Sequence, residues 1–326
     1  MAVSLAFAEG EQQFANIGDL KLESGATVKG CRVGYRTFGT LDATKDNAVL
    51  VPTWFLGTTG DLAGSFKPGG LVDSTKYYVI AVDALGNGVS TSPSNSRTQH
   101  DAAFPAITIR DMVESQHQML LGLGINHLHA VLGISMGGMQ TFQWMTAYPD
   151  FIDKAVPIVG SPRPTSYDLM FYVSGLNAVK EAIANKSARS ALIRSYADFF
   201  WLALNTPSYY VEHTKREEAV GSLAGFENAL LRWDPYDMAS GLSALSTLDI
   251  FKPFGESETN AAAAIRAKVC VIVASQDHCV NPAPATSFAK ALGARVLVLT
   301  DNNGHSSPGA EMPRVSKAIS DLLTER

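Results

Sequence analysis

The chain has 326 residues, of which 46% are hydrophobic and only 17% charged. At about 150 residues per domain, that length fits two domains or one large domain with an insertion, and the apolar content excludes a disordered chain. With 26 basic and 31 acidic residues the formal charge is −5, and no long Lys/Arg run is present, which argues against nucleic acid or an anionic membrane as partner.

The first residues, Met1 to Ala8, are apolar and end in Ala6-Phe7-Ala8 before Glu9. They lack the basic start and the length of a full secretory signal. They read either as an unstructured end or as the remnant of a shortened export signal, so localisation stays open between cytoplasmic and exported. Between Phe14 and Thr40, β-formers mix with turn glycines, which predicts two antiparallel edge strands. Short, nearly all-apolar runs follow at Ala48–Val51, Tyr77–Val82, His129–Ile134, Ala155–Val159, Val269–Ala274 and Arg295–Leu299. Bounded by Gly, Pro, Asn or Asp, they read as buried parallel strands. Helical patterns separate them: Thr108–Leu121 with Asp111 and Glu114 near its start, Met136–Tyr148 before Pro149, and Ala283–Leu292 before Gly293. Strands alternating with helices predict an α/β domain with helices on both faces of a parallel sheet.

The alternation breaks after Ser161. Residues 164–258 read as helical and aromatic-rich, with Phe171, Tyr172, Phe199, Phe200, Trp201, Tyr209, Tyr210 and Trp233. The organisation expected is therefore a core of residues 1–163 and 259–326, interrupted by a helical insertion. No apolar run reaches the length of a membrane-spanning helix. Cys31, Cys270 and Cys279 give neither a disulfide framework nor zinc spacing, although one pair could close in an exported protein.

The strongest chemical signal is Gly133-Ile134-Ser135-Met136-Gly137, which follows an apolar strand and opens a helix. A G-x-S-x-G in that context is a nucleophile elbow: the glycines permit a sharp turn and Ser135 projects above the sheet. The Met136 N–H, at the helix N-terminus, would face a developing oxyanion. A serine hydroxyl needs a base. His305, in Asn302-Asn303-Gly304-His305-Ser306 after the last strand, is the best of seven histidines. His278 is its rival, but it directly follows the best acid. That acid is Asp277, after the penultimate strand, where it would fix the imidazole tautomer. Asp83, at the end of an earlier strand, is the backup acid and otherwise braces the Gly86-Asn87-Gly88 turn. The second oxyanion N–H should come from Pro52-Thr53-Trp54-Phe55-Leu56-Gly57-Thr58-Thr59-Gly60, with Phe55 the first choice and Trp54 the second. Gly57 to Gly60 has no following Lys-Ser/Thr, so it is no phosphate loop. His127 and His129 form an H-x-H pair without a third ligand, and no metal site is expected.

The order Ser135, Asp277, His305 is that of the α/β-hydrolases, and from about Tyr35 to Arg326 the chain resembles the homoserine O-acetyltransferase-like members of that superfamily. The resemblance rests on Gly34-Tyr35-Arg36-Thr37-Phe38-Gly39, Thr108-Ile109-Arg110-Asp111-Met112-Val113 and Ser135-Met136-Gly137-Gly138-Met139-Gln140 with Tyr148-Pro149 after it. It continues in Arg232-Trp233-Asp234-Pro235 and Gly304-His305. It implies an α/β-hydrolase fold, a mostly parallel central sheet with an inserted helical lid that often mediates dimerisation, and a triad on Ser135, Asp277 and His305. Arg232, Trp233 and Tyr172 are assigned to substrate binding, with Arg163 and Arg194 also candidates for a carboxylate-binding arginine. The departures are specific. The Gly-His of the family usually precedes an Asp that helps to recognise the amino group of homoserine, whereas Ser306-Ser307-Pro308 follows here. The usual His-Ala-Leu of the oxyanion loop is Thr53-Trp54-Phe55. These changes favour a hydrolase of an ester, thioester or amide over an O-acyltransferase using acetyl-CoA as co-substrate; a binding module without turnover is the third reading. No resident cofactor is expected in any of them.

Overall fold

The computed structural model describes residues 10–325; the Ala6-Phe7-Ala8 segment and the reading of the N-terminus lie outside the described residues. The strands are β1 (Gln13–Lys21), β2 (Thr27–Phe38), β3 (Ala48–Pro52), β4 (Tyr78–Val82), β5 (Leu128–Ile134), β6 (Ile152–Ile158), β7 (Lys268–Ala274) and β8 (Arg295–Leu299). They form one sheet in the order β1-β2-β4-β3-β5-β6-β7-β8. β1 and β2 are antiparallel, as are β2 and β4, and the remaining pairings are parallel.

Two expectations change at the margins of the sheet. β1 alone is an edge; β2 is paired on both sides, in keeping with its buried run Val33-Gly34-Tyr35. β8 is the other edge and is mostly exposed, with only Leu299 fully inside. An apolar strand at a sheet edge has one flank and part of its face open to water, which the run of residues does not reveal.

Helices fill the connections: α1 (Thr59–Leu62), α2 (Ile109–Gly122), α3 (Met136–Ala147), α4 (Ser166–Ala184), α5 (Arg189–Leu204), α6 (Pro207–His213), α7 (Ala219–Leu230), α8 (Pro235–Thr247), α9 (Glu258–Ala264), α10 (Pro282–Leu292), α11 (Ser307–Ala310) and α12 (Met312–Thr324). α2 begins where Thr108 and Asp111 cap each other: the Asp111 N–H donates to Thr108 Oγ1 at 3.2 Å and the Thr108 N–H to Asp111 Oδ2 at 2.9 Å. The residues of the central strands alternate between two cores. Leu50, Val131 and Val271 pack with Met112, Phe142 and Phe288 of α2, α3 and α10. Val49, Leu132 and Ile272 pack with Val315, Ile319 and Leu322 of α12. Each such side chain contributes about 1.5–3 kcal/mol relative to exposure, so the sheet is a rigid platform for loops at its carboxyl edge.

Helices α4–α8 form a helical insert between β6 and β7. Asp237, near the start of α8, joins it to the core by accepting hydrogen bonds from the Ser94 N–H and hydroxyl. Burial raises its carboxyl to about 6, the Ser94 bonds opposing and Asp234 and Asp101 adding to the shift. The native state therefore holds this proton more tightly than the unfolded chain, and stability falls as pH rises from about 4 through about 6. Asp237→Asn is expected to remove that slope, on the order of 3 kcal/mol over the full shift. Urea unfolding of both forms at pH 4.5 and 8 checks it; parallel losses in both forms would refute the assignment.

All three cysteines are free and buried, so no pair is closed. Desolvation pushes the Cys31 thiol up to about 12 and Cys279 well above its usual range. Among the described residues no helix is long and apolar enough to cross a membrane.

Candidate active site

From β3 the chain moves to β4 on one side, while β5 lies on the other. Open α/β sheets offer a crevice at such a switch point, outside the carboxyl ends of the strands. The loop after β3 and the turn after β5 flank it.

The turn after β5 carries Ser135 at φ 59, ψ −120. A non-glycine residue there is strained by about 1–3 kcal/mol. The strain is held by the Ser135 N–H donating to Ile158 O at 2.9 Å and the Met139 N–H donating to Ser135 O at 3.0 Å. The flanking glycines are required by close approach. A Cβ at Gly133 would lie 2.5 Å from the Gly137 backbone, and one at Gly137 would lie 2.5 Å from Pro52 O. α3 thus starts directly against the end of β3.

Two distant loops bring their side chains to this serine. Asp277 lies just after β7 and His305 in the turn after β8. His305 Nε2 is 2.8 Å from Ser135 Oγ, and His305 Nδ1 is 2.7 Å from Asp277 Oδ2. The other carboxylate oxygen, Oδ1, accepts from the Cys279 N–H at 2.8 Å and the Val280 N–H at 2.9 Å. A carboxylate so placed takes Nδ1–H as donor, leaving Nε2 to accept the serine proton. The Asp277 side chain is 1% exposed and that of His305 11%.

The insert steadies both loops. From α4, Asp168 Oδ1 accepts the Asn281 N–H at 2.9 Å and the Tyr172 hydroxyl donates to Cys279 O at 3.1 Å. After α5, Asn205 Nδ2 donates to Asn303 O at 2.9 Å and the Thr206 hydroxyl to Asn302 O at 2.7 Å. Asp83 stands elsewhere. It is fully buried and accepts from the Thr59 N–H at 2.9 Å and hydroxyl at 2.9 Å, from Gln12 Nε2 at 3.0 Å and from Asn87 Nδ2 at 3.2 Å.

In the loop after β3, the Gly57 N–H donates to Trp54 O at 2.9 Å and Leu56 takes a left-handed φ of 58. This is the pattern of a type II turn. It fixes the Trp54–Phe55 peptide and hence the direction of the Phe55 N–H. Met136 opens α3, so its N–H has no acceptor within the helix. The Phe55 ring lies against Gly241 of α8, where a Cβ would be 2.7 Å away, and its centroid is 6.2 Å from that of Phe200.

A cavity of about 600 Å³ opens over Ser135 and His305. Trp54, Phe55, Tyr172, Arg232 and Trp233 all line it, so the residues assigned to substrate contact do share one space with the serine. The Tyr172 hydroxyl, however, is already donated to Cys279 O, so only its ring is offered. Of the other candidate arginines, Arg163 pairs with Asp249 at 3.6 Å and Arg194 with Glu227. The insert aromatics are more deeply involved than the sequence suggests: Phe200 and Tyr196 are part of the wall, as are Phe226 and Leu230. The aromatic richness of the insert was the available signal, but not which rings face inward. Phe199 packs on Phe171 and Tyr196, and Trp201 on Phe226.

None of the other histidines lines the cavity over Ser135. His278 is exposed. His127 pairs with Asp153 at 2.9 Å and His129 contacts Leu323 O at 2.8 Å, so the H-x-H pair is divided between two partners. His117 stacks on Tyr148 at 3.9 Å. One group with metal-like spacing occurs among the described residues, Asp277, Cys279 and His305. It is the Asp277–His305 pair with a thiol that burial keeps protonated.

Comparison with known proteins follows the same lines. The family model of the alpha/beta hydrolase fold matches residues 68–308. A Corynebacterium glutamicum protein named "Probable esterase Cgl0839" is 30% identical over 98% of this chain and 97% of its own. The ethyl acetate hydrolase of Pseudomonas veronii is 31% identical over 82% of this chain and 81% of its own. The homoserine O-acetyltransferase of Geotalea daltonii is 38% identical, but over 49% of this chain and 47% of its own. Among solved structures, an acetylester hydrolase from Corynebacterium glutamicum superposes with a TM-score of 0.90 at 25% identity, covering 97% of this chain and 96% of that one. Esterases thus match over most of their length and this acetyltransferase over about half. The chain belongs to the α/β-hydrolase fold family, among relatives that are esterases and homoserine O-acetyltransferases.

Proposed function

We propose that the protein is a serine esterase that cleaves small acyl esters, acetyl esters first among them, through an acyl-Ser135 intermediate. The observation that carries this reading is the continuous chain from Ser135 Oγ through His305 to Asp277 at the floor of an apolar cavity. His305 Nε2 takes the hydroxyl proton as Ser135 Oγ attacks the ester carbonyl. The oxyanion forms between the N–H groups of Met136 and Phe55, or Trp54 in place of Phe55. His305 then hands the proton to the departing alcohol. Water repeats the sequence on the acyl-enzyme and releases the acid. Asp277 stabilises the imidazolium in both halves. Arg232, Trp233 and Tyr172 contact the part of the substrate that reaches into the insert, which acts as the lid.

A second reading, acetyl transfer from acetyl-CoA to an alcohol, is favoured by the 38% identity to a homoserine O-acetyltransferase over half the chain. The two differ in what reaches the acyl-enzyme. The deciding experiment follows p-nitrophenyl and ethyl acetate hydrolysis beside free-CoA release from acetyl-CoA, with and without homoserine. Ester hydrolysis with no acceptor-dependent CoA release is expected. CoA release that requires the acceptor, with slow ester hydrolysis, would overturn the esterase reading.

We also propose that the protein pairs with a second copy through the insert. Leu202, Val211 and Val220 are 64%, 83% and 79% exposed on α5, α6 and α7, a concentration of apolar surface of the kind that marks an interaction site. Sedimentation at micromolar concentration should give a dimer, and Val211→Asp with Val220→Asp a monomer. A monomeric wild type would refute the pairing.

A further inference from the structure

Gln140 ends the Ser135–Gln140 motif, and neither the attack nor the proton transfer uses it. It is fully buried on α3, as are Trp144 one turn further on and Gln116 of α2. Trp144 Nε1 donates to Gln116 Oε1 at 2.8 Å, and Gln116 Nε2 donates to Gln140 Oε1 at 2.6 Å. Gln140 Nε2 donates to Thr53 O at 3.0 Å and to Met136 O at 3.2 Å.

The direction of this relay is fixed by chemistry. An indole N–H can only donate, so Gln116 must present its oxygen to Trp144 and its amide hydrogens to Gln140. Gln140 must then present its oxygen to Gln116, and both its hydrogens are aimed at carbonyls. Those two carbonyls belong to the two sides of the crevice. Thr53 O shares a peptide plane with the Trp54 N–H and roots the loop that carries Phe55. Met136 O belongs to the residue whose N–H opens α3. In a trans peptide the C=O and N–H point in opposite directions, so Thr53 O, held by Gln140, sends the Trp54 N–H away from it; Met136 O, whose peptide carries the Gly137 N–H, ties the first turn of α3 to the same amide.

We infer that Gln140, oriented by Gln116 and Trp144, is the positioning residue of the oxyanion hole: one amide group sets the loop after β3 and the first turn of α3 in register with each other. This rests on the reading of Ser135 as nucleophile. Other contacts constrain the same register. The approach of Gly137 to Pro52 O sets the spacing, and the Ala84 N–H donating to Thr53 Oγ1 at 3.0 Å holds Thr53 from the far side. Gln140 is the link that reaches both candidate donor segments.

The test uses a fluorophosphonate and the purified full chain. Ser135 Oγ displaces fluoride from phosphorus, its proton passes to His305, and the phosphoryl oxygen occupies the oxyanion position. The readout is the second-order rate of the mass shift across a pH series. Gln140→Met keeps the length and volume but removes the donors. It should label about 10- to 100-fold more slowly, the scale of a small misplacement of catalytic groups, with the pH midpoint unchanged because the base is untouched. A merely structural defect would lower the melting temperature and leave the rate of the folded protein as it was. Gln116→Met keeps the donors of Gln140 but frees their orientation; it should slow labelling less, and it decides the matter if Gln140→Met does not fold. Labelling of either folded variant within twofold of wild type overturns the inference. A wild type that does not label overturns the reading of Ser135, and this inference with it.

Discussion

Ser135→Ala is expected to lower kcat for an acetyl ester by about 10⁶-fold, while the melting temperature stays within a few degrees of wild type. The first number follows from cooperation. Removing one member of a nucleophile–base–acid unit costs nearly as much as removing all of it, and what survives is binding and oxyanion stabilisation. At about 1.4 kcal/mol per decade, the loss is on the order of 8 kcal/mol of transition-state stabilisation. The second follows from the turn. Ala and Ser both carry a Cβ, so the strain at φ 59 is the same in each. The bonds that hold the turn come from the backbone of Ser135, not its side chain. Only the 2.8 Å contact to His305 is lost, and that group remains at the edge of the cavity. Steady-state hydrolysis and a melting curve on the same preparation are the measurement. Activity within tenfold of wild type would remove Ser135 from the chemistry. His305→Ala should fall nearly as far, through the same cooperation.

Why Ser135 was legible and its surroundings were not is a matter of range. The elbow is local: strand, Gly133, Ser135, Gly137 and helix follow within a few residues, and each constrains the next. Asp277 and His305 could be chosen by chain order because strands β7 and β8 deliver their loops to the same edge of the sheet as β5. No local pattern shows that Gln116 and Gln140, 24 positions apart on two helices, share a hydrogen bond. Each glutamine alone reads as a surface residue, and only the packing of α2 on α3 buries the pair. The insert illustrates the same limit. Its helices could be read from the loss of strand patterns, but Phe200 faces the cavity while Phe199 beside it packs on Phe171. The rotation of α5 that separates them is set by contacts with α4 and α7. Tyr172, expected from the sequence to bind substrate, lines the cavity, but its hydroxyl is donated to Cys279 O in the loop behind Asp277. β8 was legible as a strand and not as an edge, because edge position depends on what fails to pair beyond it.

Asp277→Asn is expected to lower kcat by about 10⁴-fold, and Asp83→Asn to lower stability instead of turnover. The two carboxylates are both buried and both follow a strand, so the sequence offers them as rivals; their partners separate them. The N–H groups of Cys279 and Val280 point at one oxygen of Asp277. In the Asn variant that position still demands an acceptor, so the amide oxygen stays there and the NH₂ turns to His305 Nδ1. Nδ1 must then be the acceptor, the imidazole proton moves to Nε2, and Nε2 can no longer take the proton of Ser135. A loss of about 10⁴-fold is the expected scale for such a tautomer reversal. Asp83 has no histidine to orient. Its oxygens receive four donors from Thr59, Gln12 and Asn87. An Asn there sets an NH₂ against donors and leaves buried groups unpaired, at about 1–3 kcal/mol for each one left unmatched. The Asp83 variant should therefore unfold at lower denaturant concentration yet retain kcat within tenfold per folded molecule. Denaturant midpoints and kcat measured side by side decide between the two. A severe loss of turnover confined to folded Asp83→Asn would move the acid from the loop after β7 to the end of β4. That would break the hydrogen-bonded line from Asp277 to Ser135 on which the proposed chemistry depends.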